Sequence, residues 1–312
     1  MDLDRVDPAL REPLAQLPTL DLERWWVRDL AALRSRLIPW SPTPDVVLST
    51  VRDGGARLRM YTPDRANGSA LLWIHGGGLV GDAARVDDRF CGRTALELGV
   101  TVASVEHRLA PRHPFPAALD DAHAGWAWLL VHAPVLGIDR TRIAVGGRSS
   151  GGGIAASLVQ RLRDAGDEDA AAQWLWSPML DDRTAADRRL DAIDHPVWGN
   201  RANRVGWRAY LGAEPGTAAP PPYAVAARRT DLTGLPPAWI ATSDLALFHD
   251  EDVAYARALE AAGVDTALEV VTGAPHGFES WAPDTAPARE LLRRGRAWLA
   301  ERLRSSRGQI HL

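Results

Sequence analysis

The segment GGRSSGGG, residues 146–153, decides the fold that we expect of this chain. Runs of glycine and serine are usually flexible linkers, but the flanks of this run argue against a linker. RIAV (142–145) precedes it and predicts a strand, and IAASLVQRLRDAG (154–166) follows it with apolar residues at helical spacing. The turn GRSSG (147–151) between them fits the pattern G-x-S-x-G. A strand, a strained turn and a helix in this order favour a nucleophile elbow over a structural turn, with Ser149 lifted above a sheet.

Strand and helix patterns alternate on both sides of this elbow. Five stretches predict strands, with helical patterns between them: ALLWI (70–74), VTVASV (100–105), AQWLWS (172–177), AWIAT (238–242) and ALEVV (267–271). The first, ALLWI, is a continuous apolar run, as expected of a strand that is buried on both faces. A hairpin around Gly54, with DVVLSTV and ARLRMYTP as its strands, precedes them. The alternation predicts an α/β fold with a mostly parallel central sheet and helices on both faces.

Two segments do not fit the alternation, and we interpret both as parts of a helical cap. An amphipathic helix is predicted at residues 20–37, before any strand, and the interval 182–237 is rich in Arg, Asp, Pro and Ala. The chain is therefore divided into N-terminal cap helices (1–40), a first part of the core (41–181), an inserted cap segment (182–237) and a second part of the core (238–312). The cap tryptophans are expected to pack at the junction with the core or, alternatively, to contact substrate: Trp25, Trp26, Trp198 and Trp207.

Length and composition exclude several classes of protein. The 312 residues are 46% hydrophobic and 24% charged, as in an ordinary globular enzyme, and a net charge of −4 without charged blocks argues against nucleic-acid binding. Cys91 is the only cysteine, so neither a disulfide framework nor a cysteine-based metal site is expected. The N-terminus has no secretory signal pattern and no stretch is long and apolar enough to span a membrane. A cytoplasmic protein is therefore expected.

A second glycine run, HGGG (75–78), follows the predicted strand 70–74 directly. Without side chains, these glycines let backbone N–H groups point at a ligand, as in an oxyanion hole, although an isolated HGGG would be a plain turn. Because both glycine runs stand at the carboxyl ends of predicted parallel strands, we expect them to meet at the edge where such sheets bind ligands. The two motifs together indicate acyl-transfer chemistry far more specifically than either alone.

A serine hydroxyl needs a base, and His276 is the best candidate among the nine histidines. His107, His113, His123 and His132 come before the elbow, in or beside a predicted strand and helix, where a histidine is more often structural. His276 follows the predicted strand 267–271 among glycines and proline, C-terminal to the serine. This placement agrees with the chain order serine, acid, histidine of the α/β-hydrolases.

The sequence resembles the hormone-sensitive-lipase-like branch of the α/β-hydrolases, the bacterial HGGG carboxylesterases. The resemblance covers about residues 40–300 and rests on these segments, in the family's order: WIHGGGLVGD, VEHRLAPRHPFPAALDDAHAGWAWLL, GGRSSGGGIAA, SPMLDDR, PPYAVAARRTDLTGLPPAWI, DEDVAYARALEAAGV and PHGF. It implies an α/β-hydrolase fold with a helical cap and no metal or cofactor. By resemblance Ser149 is the nucleophile and His276 the general base. Gly77, Gly78 and the N–H of Ser150 would be the oxyanion donors, with His75 supporting their loop.

Two arginines stand where the family has acidic residues. The family elbow is usually G-D-S-A-G-G, whereas this chain has Arg148 and Ser150, and the family's LAPE is LAPR here, with Arg112. Such a change reverses the local charge and would favour anionic groups near the site. The preferred interpretation is that both arginines form altered salt bridges with Asp120, Asp121 or similar neighbours.

The triad acid is missing from its usual place. The family has an aspartate four residues before an Asp-Glu pair, and in SDLALFHDED (243–252) that position is Ala246. We predict that Asp244, just past the strand 238–242, has taken over the role. Absence of any working acid is the second alternative, and Asp250 or Glu251 the third, since a helix N-terminus already explains those carboxylates.

These residues predict a serine carboxylesterase that hydrolyses small to medium acyl esters through an acyl-enzyme. Two alternatives stay open: a catalytically weakened small-molecule-binding homologue, and a lyase or amidase on the same scaffold. The expected partner is a small-molecule ester, and no nucleic acid or membrane span is expected. A homodimer could form if the last strand of the sheet pairs with that of a second copy.

Overall fold

The computed structural model describes residues 3–18, 24–39, 42–217 and 219–304, and it describes Trp25 and Arg36 only by their backbone. Eight strands form one sheet in the order β1-β2-β4-β3-β5-β6-β7-β8. Their bounds are β1 (Val46–Asp53), β2 (Ala56–Pro63), β3 (Ala70–Ile74), β4 (Thr101–Val105), β5 (Ile143–Arg148), β6 (Gln173–Trp176), β7 (Ala238–Ser243) and β8 (Thr266–Val271). The pairs β1–β2 and β2–β4 are antiparallel and all the others are parallel, which confirms the predicted α/β fold with a mostly parallel sheet.

Helices cover both faces of this sheet. They are α1 (Pro8–Ala15), α2 (Trp25–Leu37), α3 (Asp88–Leu98), α4 (Ala117–Leu136), α5 (Ser150–Ala165), α6 (Asp182–Ala186), α7 (Asn200–Leu211), α8 (His249–Ala261), α9 (Phe278–Trp281) and α10 (Ala286–Arg302). Successive side chains of a strand point to opposite faces. In β3, Leu72 and Ile74 pack with α4, α5 and α8, whereas Leu71 and Trp73 pack with α1, α3 and α10. The central strands of the sheet are therefore buried on both sides, as predicted for ALLWI.

The predicted strands agree with the structure to within a few residues, and helices lie between them as predicted. The differences lie near the N-terminus. Helix α1 follows Asp7, whose side chain accepts a hydrogen bond from the Ala9 N–H, and its apolar residues Leu10 and Leu14 are buried. This helix was not predicted because Pro8 and Pro13 mask its short apolar pattern. The helix predicted at residues 20–37 begins at Trp25, and residues 19–23 lie outside the described part of the chain.

The segment between β6 and β7 contains α6, α7 and two short 3₁₀ helices, at Arg188–Ala192 and Ala226–Arg228. Its buried residues Trp207 and Tyr210, together with Ala226, join the core on the side of α5 and α8. In the described part of the chain, no helix combines the length and the apolar character needed to cross a bilayer.

Candidate active site

Ser149 stands at the turn between β5 and α5. Its backbone is in an unusual conformation for a residue with a side chain, with φ 54° and ψ −125°. Its N–H donates to the Trp176 carbonyl at 2.8 Å, which ties the turn to the neighbouring strand β6. A Cβ added at Gly151 would lie 2.2 Å from the carbonyl oxygen of Ile74, so only glycine permits this close approach of α5 to β3. The geometry is that of a nucleophile elbow.

His276 meets Ser149 across the edge of the sheet. It lies in the loop after β8, and its Nε2 is 3.0 Å from the Ser149 Oγ, within hydrogen-bond distance. The two side chains are 127 residues apart in the sequence, and both residues are buried, with 6% and 7% of their surface exposed. The Trp281 Nε1–H donates to the His276 carbonyl at 3.0 Å and fixes the loop that carries the ring.

Burial keeps the His276 ring neutral. It lowers the pKa of His276 from 6.5 to about 3, and the positive charge of Arg148 contributes to the decrease. The Phe248 ring stands at 88° to the imidazole, with 5.1 Å between the ring centroids, and forms an apolar wall beside it. A neutral imidazole whose Nε2 accepts from Ser149 must carry its proton on Nδ1.

No described residue accepts that proton: Nδ1 of His276 is buried without a hydrogen-bond partner. Asp244, the predicted acid, is exposed, and its Oδ1 accepts from the Gly273 N–H at 2.7 Å. Its own N–H continues the pairing of β7 with β8 by donating to the Val271 carbonyl at 3.2 Å. The predicted contact between Asp244 and His276 is therefore absent, because the loop directs this carboxylate to the backbone before His276.

The remaining candidates for the acid also have other roles. The side chain of Asp250 is fully exposed beside the His249 Nδ1, at 2.8 Å. Glu251 is buried, and its Oε1 accepts from the Leu180 N–H at 2.7 Å. Ala246, at the position of the family's aspartate, is only 4% exposed. Among the described residues, the place of a triad acid is thus occupied by an apolar side chain.

The HGGG loop lies directly against the elbow. In the parallel pair of β3 and β5, Ile74 is opposite Gly147, so the two glycine runs leave adjacent strands side by side. Neither Gly77 nor Gly78 donates its backbone N–H to another described residue. Ser150 is the first residue of α5, and its N–H therefore has no partner within the helix. These three N–H groups are available to an oxyanion near Ser149.

Trp198, from the segment between β6 and β7, packs against this loop. A Cβ added at Gly78 would lie 2.0 Å from Cη2 of Trp198, which shows how closely that ring packs on the glycine. Below the loop, the His75 and His107 rings stack at 4.1 Å with an interplanar angle of 11°. Burial lowers the pKa of His75 to about 4 and that of His107 to about 3, so both are neutral packing groups.

A cavity of about 1010 Å³ opens above Ser149 and His276. Its walls combine the glycine loop, the end of α1 with Leu14 and Leu17, Ala31 of α2, and residues 191–202 of the cap segment. Of the four tryptophans considered as substrate contacts, Trp198 lines the cavity, while Trp207 is buried in the core. Trp26 is half exposed and is not part of this wall, and the Trp25 side chain lies outside the described residues.

Comparison with known proteins places this geometry in a family. A family described as alpha/beta hydrolase fold matches residues 71–280. Esterase LipI of Mycobacterium tuberculosis is 34% identical over 306 residues, which cover 93% of either chain. The solved structure of a bacterial heroin esterase is 36% identical, has a TM-score of 0.87, and covers 98% of this chain and 100% of its own. An esterase of the bacterial hormone-sensitive lipase family superposes with a TM-score of 0.79 at 29% identity, covering 97% of this chain and 98% of that one.

The chain belongs to the hormone-sensitive-lipase-like branch of the α/β-hydrolase family. Carboxylic ester hydrolysis is the activity for which its relatives are named, so the protein is a carboxylesterase. The resemblance inferred from the HGGG and G-x-S-x-G motifs is confirmed.

In this esterase the unusual Arg148 forms a buried ion pair. Its Nη2 contacts Oδ1 of Asp87, and the other oxygen of Asp87 accepts from the Trp73 Nε1–H at 2.7 Å. The side chain of Arg148 is 12% exposed and that of Asp87 is completely buried. The preferred interpretation of Arg148 as a residue with an altered salt bridge agrees with the structure, but the partner is Asp87.

The partners suggested for the arginines were wrong for a simple reason: other arginines already occupy them. Arg161 pairs with Asp120 at 2.6 Å, and Arg108 pairs with Asp121 at 2.9 Å. Arg112 is exposed and makes no hydrogen bond or ion pair with the described residues.

Sequence reasoning missed two residues of the site, Asp87 and Phe248. An arginine at the elbow position implies a nearby acid, but many carboxylates precede the elbow and spacing alone does not single out Asp87. Phe248 carries no signal in the sequence, since one aromatic residue at a helix start is common.

Proposed function

We propose that this carboxylesterase hydrolyses small to medium acyl esters with Ser149 as the nucleophile and His276 as the general base. The observation that carries the proposal is the 3.0 Å contact between the Ser149 Oγ and the His276 Nε2 at a strained turn on the floor of the cavity. A buried serine and a buried neutral histidine in this arrangement are the essential pair of a serine hydrolase.

The reaction follows from these positions. His276 accepts the hydroxyl proton at Nε2 while the Ser149 Oγ attacks the ester carbonyl. The resulting oxyanion receives hydrogen bonds from the N–H groups of Gly77, Gly78 and Ser150. The imidazolium returns its proton to the leaving alcohol, and a water molecule, deprotonated by the same histidine, releases the acid from the acyl-enzyme. None of these steps requires a metal or a cofactor.

His276 works in this proposal without a carboxylate at Nδ1. Its orientation comes from packing against Phe248 and from the loop held by Asp244 and Trp281. Packing can orient a ring but does not stabilise its positive charge in the transition state. We therefore expect turnover well below that of a complete triad, for which loss of the acid costs about 10⁴-fold in kcat.

The size of the substrate is inferred from the cavity. A volume of about 1010 Å³ accommodates a small or medium ester with room to spare, and the wall of Leu14, Leu17, Ile193 and Val197 is suited to a short alkyl chain. A relative that is 36% identical over 250 residues is named ethyl acetate hydrolase, which supports short esters as substrates. No contact among the described residues favours the alternatives of a binding protein, a lyase or an amidase.

The test is a series of p-nitrophenyl esters from acetate to palmitate. We expect hydrolysis that is fastest between two and eight carbons, abolished in Ser149→Ala and strongly reduced in His276→Ala. An alkyl phosphonate should label the wild-type protein at Ser149 and leave Ser149→Ala unlabelled. Substantial turnover by pure Ser149→Ala protein would exclude Ser149 as the nucleophile.

A cytoplasmic location and a homodimer stay predictions. Strand β8 forms one edge of the sheet, which is compatible with pairing across a two-fold axis.

A further inference from the structure

One of the carboxyl groups near the nucleophile has no direct partner among the described residues. Arg148 acts on three carboxylates, those of Asp87, Asp82 and Glu279, but it contacts only Asp87. Glu279 is 3% exposed, and burial raises its pKa, which favours its neutral form. Asp82 is half-buried, and its side chain makes no hydrogen bond or ion pair with the residues that the structure describes. Burial raises the pKa of Asp82 as well, and the positive charge of Arg148 opposes this shift. One acidic side chain therefore stands at the site without a direct partner.

Asp82 is close to the reacting centre. It lines the same cavity as Ser149 and follows the HGGG loop, whose Gly77 carbonyl accepts from the Gly81 N–H at 2.9 Å. A Cβ built on Gly77 would lie 2.8 Å from the Asp82 Cβ, and one built on Gly76 would lie 3.3 Å from the Ser149 Cβ. Because the Cα atoms of consecutive residues are 3.8 Å apart, their Cβ atoms are at most about 7 Å apart, and the Cβ atoms of Ser149 and Asp82 lie within about 13 Å of each other. One small ester can reach both.

The backbone of Asp82 is also unusual. Its φ of 66° lies in the left-handed region, which residues with a side chain adopt rarely. Aspartate tolerates this region better than most residues, but the conformation still requires support from its surroundings. Asp82 follows the HGGG loop, whose glycines form part of the cavity wall. The fold thus holds this carboxylate at the cavity instead of turning it to bulk solvent.

We propose that the cavity binds esters that carry a cationic group, with Asp82 as the residue that pairs with the cation. The inference rests on the proposed function, because it concerns the substrate of the Ser149 site. The ion pair with Asp87 weakens the repulsion between Arg148 and such a ligand. A partly buried carboxylate without a partner gains more free energy from binding a cation than a carboxylate that is already paired.

The other walls of the cavity are compatible with a cation. Trp198 and Trp281 line it, and the faces of tryptophan rings attract alkylammonium groups. Two other carboxylates line the cavity. Asp194 is exposed to solvent, and both oxygens of Asp191 already accept from Arg204 at 2.9 Å. Arg201 is a further cation of the wall and is exposed to solvent, where its field is screened. Asp82 is therefore the carboxylate that the proposal uses.

The experiment compares three esters of one acid: choline butyrate, its uncharged isostere 3,3-dimethylbutyl butyrate, and an anionic ester with a terminal carboxylate. The readout is the ratio of kcat/KM for the cationic ester to that for the isostere, at low ionic strength. We expect a ratio of about ten, which corresponds to less than the full attraction of two opposite charges about 4 Å apart at a protein surface, because water and salt screen part of it. The ratio should decrease in 0.5 M salt, and the anionic ester should be the poorest of the three.

Variants assign the effect to a residue. In Asp82→Asn, which keeps the size of the side chain, the ratio should fall to about one. In Asp191→Asn, a matched change at a carboxylate that already has a partner, the ratio should stay near the wild-type value. A wild-type ratio of one, a preference for the anionic ester, or a ratio unchanged in Asp82→Asn would each overturn the proposal. If instead none of the three esters and no p-nitrophenyl ester is hydrolysed, the proposed function itself fails.

Discussion

Installing the missing acid is the most direct experiment on this active site. Ala246 occupies the position of the family's aspartate, and it is buried two residues before Phe248, whose ring lies against His276. By the family's pattern, the substitution Ala246→Asp places a carboxylate where the triad acid contacts the histidine. Nδ1 of His276 has no partner among the described residues. We expect kcat to increase because the carboxylate stabilises the imidazolium that forms in the transition state.

The size of the increase follows from the protonation of His276. Its pKa is lowered from 6.5 to about 3. At about 1.4 kcal/mol for each pKa unit, the buried imidazolium is destabilised by roughly 5 kcal/mol. A triad acid contributes about 10⁴-fold in kcat, which is a similar free energy. The new aspartate must itself ionise in an apolar place, and this offsets part of the gain. We therefore expect an increase of about 10²-fold.

The assay measures kcat and KM for p-nitrophenyl butyrate at pH 8 with Ala246→Asp, Ala246→Asn and the wild type. Ala246→Asn is the matched control, since it has the same size but cannot provide the charge. Its kcat should stay within about threefold of the wild-type value, and thermal unfolding of both variants shows whether they are folded. The acid should also raise the pKa that limits kcat/KM at low pH.

One result would refute the reasoning. If Ala246→Asp folds as well as Ala246→Asn and yet has the same kcat, then the lack of a negative charge beside Nδ1 of His276 does not limit the rate. An equal increase in both variants would show that polarity or packing at residue 246, and not ionic stabilisation, limits the rate.

Three further predictions follow from the contacts of the site. Asp244→Asn should leave kcat within about threefold, since its amide oxygen can still accept from the Gly273 N–H; a decrease of about 10³-fold or more would restore Asp244 as the triad acid. The wild-type kcat/KM should decrease at low pH only as the pH approaches 3, because His276 accepts a proton on Nε2 only when neutral; a midpoint near 6.5 would contradict the burial of this ring. Burial raises the pKa of Glu251 from 4.5 to about 8, so the folded protein holds a proton that the unfolded chain releases, and the free energy of unfolding should decrease from pH 5 to 8. In urea titrations Glu251→Gln should reduce this decrease by about 3 kcal/mol, and an unchanged pH dependence would show that Glu251 is not the group responsible.

Much of the chemistry of this esterase could be predicted from the sequence, because it depends on short stretches of chain. The elbow at 146–153 needs only a strand, glycines and a helix in succession, and these patterns are visible locally. HGGG at 75–78 and His276 each follow an apolar strand directly, and parallel strands bring their carboxyl ends to one edge. The contact between Ser149 and His276 is the consequence.

The contacts of Asp244, the partner of Arg148 and the position of Asp82 at the cavity are visible only in the tertiary structure. Asp244 is two residues from the expected position, and whether its carboxylate reaches His276 or Gly273 depends on the path of one loop. Asp87 pairs with Arg148 across 61 residues of sequence, a contact that no local pattern encodes. Strand and helix periodicities fix which face of an element is buried, whereas the direction of a single side chain in a loop depends on everything that packs around it.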